Sequence, residues 1–387
     1  MEKFICIPDS FQGTATSLEV CRIMSRKISE IYPDSEVIAI PAADGGEGSV
    51  DVFLKVFGGE RVRIEVKDPY FHDISASYGL VDNGRVAVIE MASCVGIPMA
   101  GKTKNPEITT TYGVGQLILS AAQRGAEIII VGLGDSCTND GGCGMASALG
   151  VQFLDREQQT FIPNGGTLMD IRYIDRSGLA KELSGVEIIT ICDMNSPLYG
   201  LRGAAHVCAP QKGADSEQVS HLDQGLMHLC TRIREDINLD VSEIPGAGAA
   251  GGMGAGMAAF LGSKLNMGIE VVLDMVHFND IARGAKLILT GEGRLDGESL
   301  CGKVVDGVAG RAKALGIPSA AVVGGVGEGM NGIYEKGLTA VFPINQRPQD
   351  FSESRFYTEE NIAFAVENIL RLVRALEKQG GESCLSS

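Results

Sequence analysis

The chain has 387 residues, 44% hydrophobic and 21% charged, with 51 glycines and no tryptophan: an ordinary globular protein of about two domains. Its formal net charge of −16 leaves no surplus of Lys and Arg for a nucleic-acid surface or an anionic membrane. The ten cysteines include no Cys-x-x-Cys pair, and no histidine stands near Cys137 and Cys143 to complete a zinc set. They read as small apolar residues of a reducing compartment.

Residues 4–7 form an apolar run that reads as a buried strand, ending in the polar loop 9–14. This opening run is too short for a signal peptide or a membrane span, and the expected location is the cytoplasm. Leu18, Cys21, Ile23, Met24, Ile28 and Ile31 then fall largely on one helical face. A second strand over 37–40 leads into Ala43-Asp44-Gly45-Gly46-Glu47-Gly48 and a helix to about Phe57. That β-loop-α rhythm belongs to a parallel sheet with ligand loops at its strand ends.

Residues 60–90 alternate apolar and polar side chains around an Asp82-Asn83-Gly84 turn, the pattern of antiparallel hairpins. A helix from Thr111 is followed by a strand over 127–131, a glycine-rich loop over 132–144 and another helix. A strand over 186–191 ends at Cys192-Asp193-Met194-Asn195, a long helix covers 215–237, and a Gly/Ala-rich helix covers 245–261. After Gly284 the first rhythm returns, with a strand over 287–290, a polar loop over 291–303 and a helix over 304–315. Strands at 320–323 and 339–342 and an amphipathic helix over 361–378 follow. The expected fold is two α/β domains. A discontinuous doubly wound parallel sheet is built from residues 1–66 and 285–387, and a mixed-sheet domain, residues 67–284, is inserted in it.

The loop 132–144 carries the densest chemistry: glycines that expose backbone N–H groups, Ser136, Thr138 and Asn139, and the acids Asp135 and Asp140. Read by itself it is either a cradle for a metal-bound phosphate or a buried turn. Two other segments imitate nucleotide motifs. Gly246-Ala-Gly248-Ala-Ala-Gly251 has dinucleotide spacing but no apolar strand before it, and Gly297 to Lys303 has P-loop spacing but is followed by Val304 instead of a hydroxyl residue. Lys303 at a helix start still suits a phosphate. Asp9-Ser10, Asp44 to Gly48, Asp193 with Asn195, and Gly291-Glu292-Gly-Arg294-Leu-Asp296 all follow expected strands. Converging carboxylates of this kind suit Mg²⁺, or a general base acting on a hydroxyl. Lys212, Arg294 and Lys303 are placed to neutralise a carboxylate or a phosphoryl group. The five histidines stand apart and read as surface or satisfied interior residues.

Taken together, Pro8-Asp-Ser-Phe11, Ala43 to Gly48, Glu90-Met-Ala-Ser93, Tyr112-Gly-x-Gly115, Ser136-x-Thr-Asn-Asp-Gly-Gly142, Pro210-Gln-Lys-Gly-Ala214, Pro245 to Gly252 and Gly291 to Asp296 resemble the bacterial glycerate kinase family, in its order. The resemblance implies a flavodoxin-like doubly wound sheet and ATP-dependent phosphorylation of D-glycerate, commonly to 2-phosphoglycerate, with Mg²⁺. By position at a strand end beside basic residues, Asp296 or Asp193 is expected to be base or metal-orienting acid, with Arg294 and Lys303 beside the chemistry. Ser10, Gly45, Gly46, Glu47, Ser136, Thr138, Asn139, Asp140 and Lys212 would hold phosphate or glycerate, and Asp44 and Asp193 the metal. Partners are then the two small substrates, with no nucleic acid or membrane and room for a homo-oligomer. Gln12 stands where the family usually has lysine, which removes a positive charge. A kinase of another small hydroxy acid or polyol, or a degenerate metabolite-binding protein, are the alternatives.

Overall fold

The computed structural model describes residues 1–383 except Gln12, Ala43, Asp44, Glu47, Thr103, Asp193 and Cys301; the side chains of Glu298 and of 378–383 are also outside the description. The chain divides into two compact units, Met1–Ala43 with Ile269–Ser387, and Asp44–Gly268.

Strand β1 (Lys3–Pro8) is buried from Phe4 onward, as a central parallel strand covered on both faces must be. Helix α1 (Ser17–Ile31) starts at Thr16, where a capping box with Glu19 satisfies two free backbone N–H groups. Val20, Ile23, Met24 and Ile28 form its buried face. Strand β2 (Glu36–Ala39) then pairs parallel with β1.

The second unit begins with α2 (Ser49–Phe57), β3 (Glu60–Lys67), β4 (Asp73–Val81) and β5 (Val86–Glu90). It continues through α3 (Ala92–Val95), α4 (Tyr112–Gln123), β6 (Ile128–Gly132) and α5 (Cys143–Ala148). A small antiparallel sheet follows, made of β7 (Gln152–Leu154), β8 (Thr160–Phe161) and β9 (Tyr173–Asp175). Then come β10 (Glu187–Ile191), α6 (Ala204–Cys208), α7 (Ser216–Ile237), α8 (Ala249–Leu261) and β11 (Lys264–Asn266). The main sheet runs β11-β10-β6-β5-β4-β3, parallel as far as β5 and antiparallel where β4 and β3 are added. Helix α8 is buried on every side through Phe260, and its small residues let it lie against neighbouring backbone.

The chain returns to the first unit through α9 (Gly268–Met275), α10 (Phe278–Ile281), β12 (Ala285–Leu295), α11 (Val304–Ala314) and β13 (Ser319–Val326). It ends with α12 (Gly332–Lys336), β14 (Ala340–Pro343), α13 (Phe351–Ser354) and α14 (Thr358–Ser383). The sheet order β2-β1-β12-β13-β14, all parallel, is the 2-1-3-4-5 order of a doubly wound fold. Phe4, Leu289 and Val322 meet α1 and α14 on one face, while Ala321 and Val323 meet α11 and α12 on the other.

Two details depart from the sequence reading. The units meet at 43/44 and 268/269, not at 66/67 and 284/285. Strand β3 pairs with β4 from Glu60 to Lys67 and so sits in the second unit, whereas α9 sits in the first, where Glu270 pairs with Arg311 at 2.5 Å. The polar loop expected over 291–303 is strand as far as Leu295, because Arg294 and Leu295 keep register with Gly325 and Val326 of β13.

Candidate active site

In a 2-1-3-4-5 sheet the connections after the first and third strands leave toward opposite faces, so a crevice opens beyond their C-terminal ends. In the first unit those strands are β1 and β12, with Pro8 opposite Gly291. The Asp9 N–H donates to the Gly291 carbonyl at 2.8 Å, and Asp9 Oδ1 accepts from the Ser10 N–H at 2.6 Å. Glu292, the next residue on β12, is only 5% exposed. Ser299 beside it favours the charged form, and among the described residues Oε1 has no hydrogen-bond partner. Burial raises this acid to about 7, helped by the Asp9 and Asp296 carboxylates and opposed by Ser299 and Lys303.

Arg294 and Asp296 form an ion pair at 3.1 Å near the surface, and the Asp296 N–H donates to Ser299 Oγ at 3.2 Å. Lys303 occupies the N-cap position of α11. Ser10, Arg294, Asp296 and Lys303 therefore share one sheet edge. Glu292, which the sequence reading left out of the site residues, stands among them.

In the second unit, glycine allows two loops to touch main chain to main chain. Gly45, at φ +86, accepts from the Gly134 N–H at 3.1 Å. A Cβ on Gly134 would lie 2.5 Å from Gly46 Cα, so no larger residue fits between the loops. This contact frames a cavity of about 270 Å³ whose lining includes Gly46, Ser136, Cys208, Lys212, Ala249 and Ala250. Ala250 stands at φ +54, strained backbone of the kind that collects at functional sites.

Lys212, on a short turn after α6, is 2% exposed. Its ammonium donates to Ser136 Oγ at 3.0 Å and to the Thr138 carbonyl at 2.7 Å. An ammonium has three donors, so one remains to offer. Burial lowers its pKa to about 8, against the pull of Cys208, Cys137 and Asp140. Beneath the loop, Asp140 is wholly buried. Its Oδ2 accepts from Thr111 N–H, Thr111 Oγ1–H and Gly144 N–H, and its Oδ1 from Gly142 N–H, at 2.8–3.1 Å. Burial raises this acid despite four bonds that favour the charged form. Asp140 thus shapes the loop from below. Among the described residues, Thr138 Oγ1 and both amide atoms of Asn139 are buried without a hydrogen-bond partner, a costly state that a bound water would relieve.

The structure brings Gly46, Ser136 and Lys212 to the lining of one cavity, with the Thr138 carbonyl bonded to Lys212 and Gly45 to Gly134; Asn139 and Asp140 are buried and not in that lining. Asp44, Glu47, Asp193 and the departure at Gln12 lie outside the described residues. Among the described residues no strand lies between α7 and Gly246, consistent with close packing in place of a dinucleotide motif. His221 Nδ1 meets Glu107 at 2.8 Å and His228 Nε2 meets the Ile171 carbonyl at 2.7 Å, both satisfied contacts. Among the described residues no group of three His, Cys, Asp or Glu side chains could hold a metal ion. Among them, too, no helix is long and apolar enough to cross a membrane.

A doubly wound sheet with acids and a lysine at its switch point in the first unit, and a cavity with a buried ammonium in the second, define a two-unit α/β protein suited to small anionic ligands. The chain matches the model of the glycerate kinase family over residues 4–374. It is 43% identical to a glycerate kinase of Bacillus cereus, over 95% of this chain and 97% of that one. It is 37% identical to glycerate 2-kinase of Escherichia coli, again over 95% and 97%. The crystal structure assigned as glycerate kinase 2 from Salmonella typhimurium LT2 superposes with a TM-score of 0.85 at 37% identity, covering 97% of this chain and 99% of that one. The chain belongs to the glycerate kinase family and is a kinase.

Proposed function

We propose that this protein transfers the γ-phosphoryl group of ATP to D-glycerate, giving 2-phosphoglycerate. Family membership makes ATP the co-substrate. The observation that carries the rest is Lys212: a buried ammonium with one N–H unspent, in a cavity of about 270 Å³. A small carboxylate or a phosphoryl group supplies the negative charge that this lysine lacks. The hydroxyl of Ser136, in the lining of the same cavity, suits a polar atom of that ligand. In the first unit, Ser10, Lys303 and Arg294 are assigned to the transferring phosphoryl group, with Asp296 orienting Arg294.

Mg²⁺ is assigned to ATP as its phosphate complex, since this ion shares its oxygen ligands with substrate phosphates. Asp44 and Asp193 are the acids proposed to receive it. Cys192 and Met194, on either side of Asp193, both line the cavity, as does Gly46. Buried thiols outside any disulfide, Cys208 among them, suit a reducing cytoplasm.

An ADP-release assay with D-glycerate tests the reading, with glycerate-dependent turnover expected. The phosphorus of the product should couple to the proton on C2 in NMR. A folded protein showing no turnover above its ATPase background would overturn it.

A further inference from the structure

We propose that Glu292 is the group that takes the proton from the glycerate hydroxyl, an inference that rests on the phosphoryl transfer proposed above. The sequence directs attention to the aspartates, but their geometry is less suitable. Asp296 turns Oδ2 toward Arg294 Nε at 3.1 Å, and Asp9 Oδ1 is taken by the Ser10 N–H at 2.6 Å. Glu292 is placed differently. It lies on β12 immediately after the residue opposite the end of β1, at the switch point where a doubly wound sheet opens its crevice. It is more than nine-tenths buried, and among the described residues Oε1 has no donor to accept from. A buried carboxylate oxygen without a donor is costly, and a substrate hydroxyl is a donor.

The charged groups facing Glu292 are Asp9 after β1, Asp296 after β12 and Lys303 at the start of α11. Two like charges against one opposite charge, together with burial, set its proton affinity near neutrality, where a general base works best. In the step itself, the hydroxyl O–H bond breaks toward Glu292 and the oxygen forms a bond to the γ-phosphorus. The bond from that phosphorus to the bridging oxygen breaks, and its electron pair leaves on ADP. Glu292 then releases its proton to solvent.

The test compares wild type with Glu292→Gln over pH 5.5–9, with MgATP affinity measured by calorimetry as a check on folding. Wild-type log kcat should climb with unit slope below about pH 7 and level off above it. Glu292→Gln should lower kcat by about 10²–10⁴-fold and abolish that limb while leaving MgATP affinity intact. The proposal is overturned if the variant keeps kcat within about fivefold of wild type, if the limb survives in it, or if raised Mg²⁺ restores its activity, since the last assigns Glu292 to the cation. NMR of wild-type protein carrying ¹³C-labelled glutamate carboxyls gives a second readout, independent of the variant's folding. One glutamate should titrate near 7 and shift when D-glycerate is added, and no such glutamate means no such base. Absence of glycerate turnover in the wild type counts against the phosphoryl-transfer reading instead, and the NMR titration still reports on Glu292.

Discussion

Glu292 in the first unit and Lys212 in the second are both buried charges, and burial drives both toward the neutral form, the acid up to about 7 and the base down to about 8. They differ in how they are held. Lys212 is pinned by two acceptors, Ser136 Oγ and the Thr138 carbonyl, inside a cavity that close glycine contacts keep in shape. Glu292, on β12 just past the end of β1, keeps an oxygen without a partner among the described residues, near other carboxylates. An anion entering the cavity would reverse the shift on Lys212 and fix its charge, which suits a group that binds. The shift on Glu292 is reinforced by like charges already in place, which suits a group that takes and releases protons.

The comparison breaks most visibly at Lys212. Lys212→Met should lower kcat/KM for D-glycerate by about 10²–10³-fold, the usual effect of losing one electrostatic donor in a preorganised site. The melting temperature should hold or rise, because an ammonium without a carboxylate partner is removed from the interior. Loss of stability in parallel with activity would make Lys212 a structural residue. In the second unit the larger stability effect belongs to Asp140. Asp140→Ala leaves the N–H groups of Thr111, Gly142 and Gly144 without their acceptor and should cost about 3 kcal/mol in urea denaturation.

The two shifts also give stability slopes of opposite sign. Glu292 has a folded pKa of about 7 against an ordinary 4.5, so the folded chain holds the extra proton, and its contribution is lost as pH rises across that window. Lys212 has a folded pKa of about 8 against 10.5, so the unfolded chain holds the extra proton, and stability is gained as pH rises from 8 to 10.5. Urea midpoints across pH should show both slopes, the first absent in Glu292→Gln and the second in Lys212→Met. A slope that persists in its own variant assigns it to another group.

Much of this arrangement is legible in the sequence, for identifiable reasons. Strand β1 and the face of α1 are continuous or periodic apolar runs, and Thr16 with Glu19 marks the helix start. The apolar run of β12 stops at Thr290, so the sequence alone sets Glu292 in a loop, whereas the strand itself goes on to Leu295 by backbone pairing with β13. Pairing of that sort is a tertiary fact with no local signal. Asp140 carries the opposite lesson. Its place in a glycine-rich loop marks it as a ligand group, yet every hydrogen bond found for its carboxylate goes to Thr111, Gly142 or Gly144. Composition tells which chemistry a loop contains, not which way each side chain faces. The first domain boundary differs from the sequence expectation for a related reason: the hairpin pattern is visible from residue 60, but only the pairing of β3 with β4 says which sheet it joins.

The smallest expected effect separates charge at the surface from charge in the interior. Arg294 pairs with Asp296 at 3.1 Å, as close as Lys212 lies to Ser136, but the Arg294 side chain is 74% exposed. Water screens such a pair and ordering two side chains opposes it, so Arg294→Ala should change stability by less than about 1 kcal/mol, read from the urea midpoint. Its activity should fall nonetheless, because a guanidinium that contributes little to the resting fold still meets the charge that develops on a transferring phosphoryl group. Stability and kcat measured together on Arg294→Ala and Lys212→Met thus ask one question of both units. If Arg294→Ala destabilises the fold as much as it slows turnover, the exposed pair is part of the scaffold, and its assignment to the phosphoryl group fails.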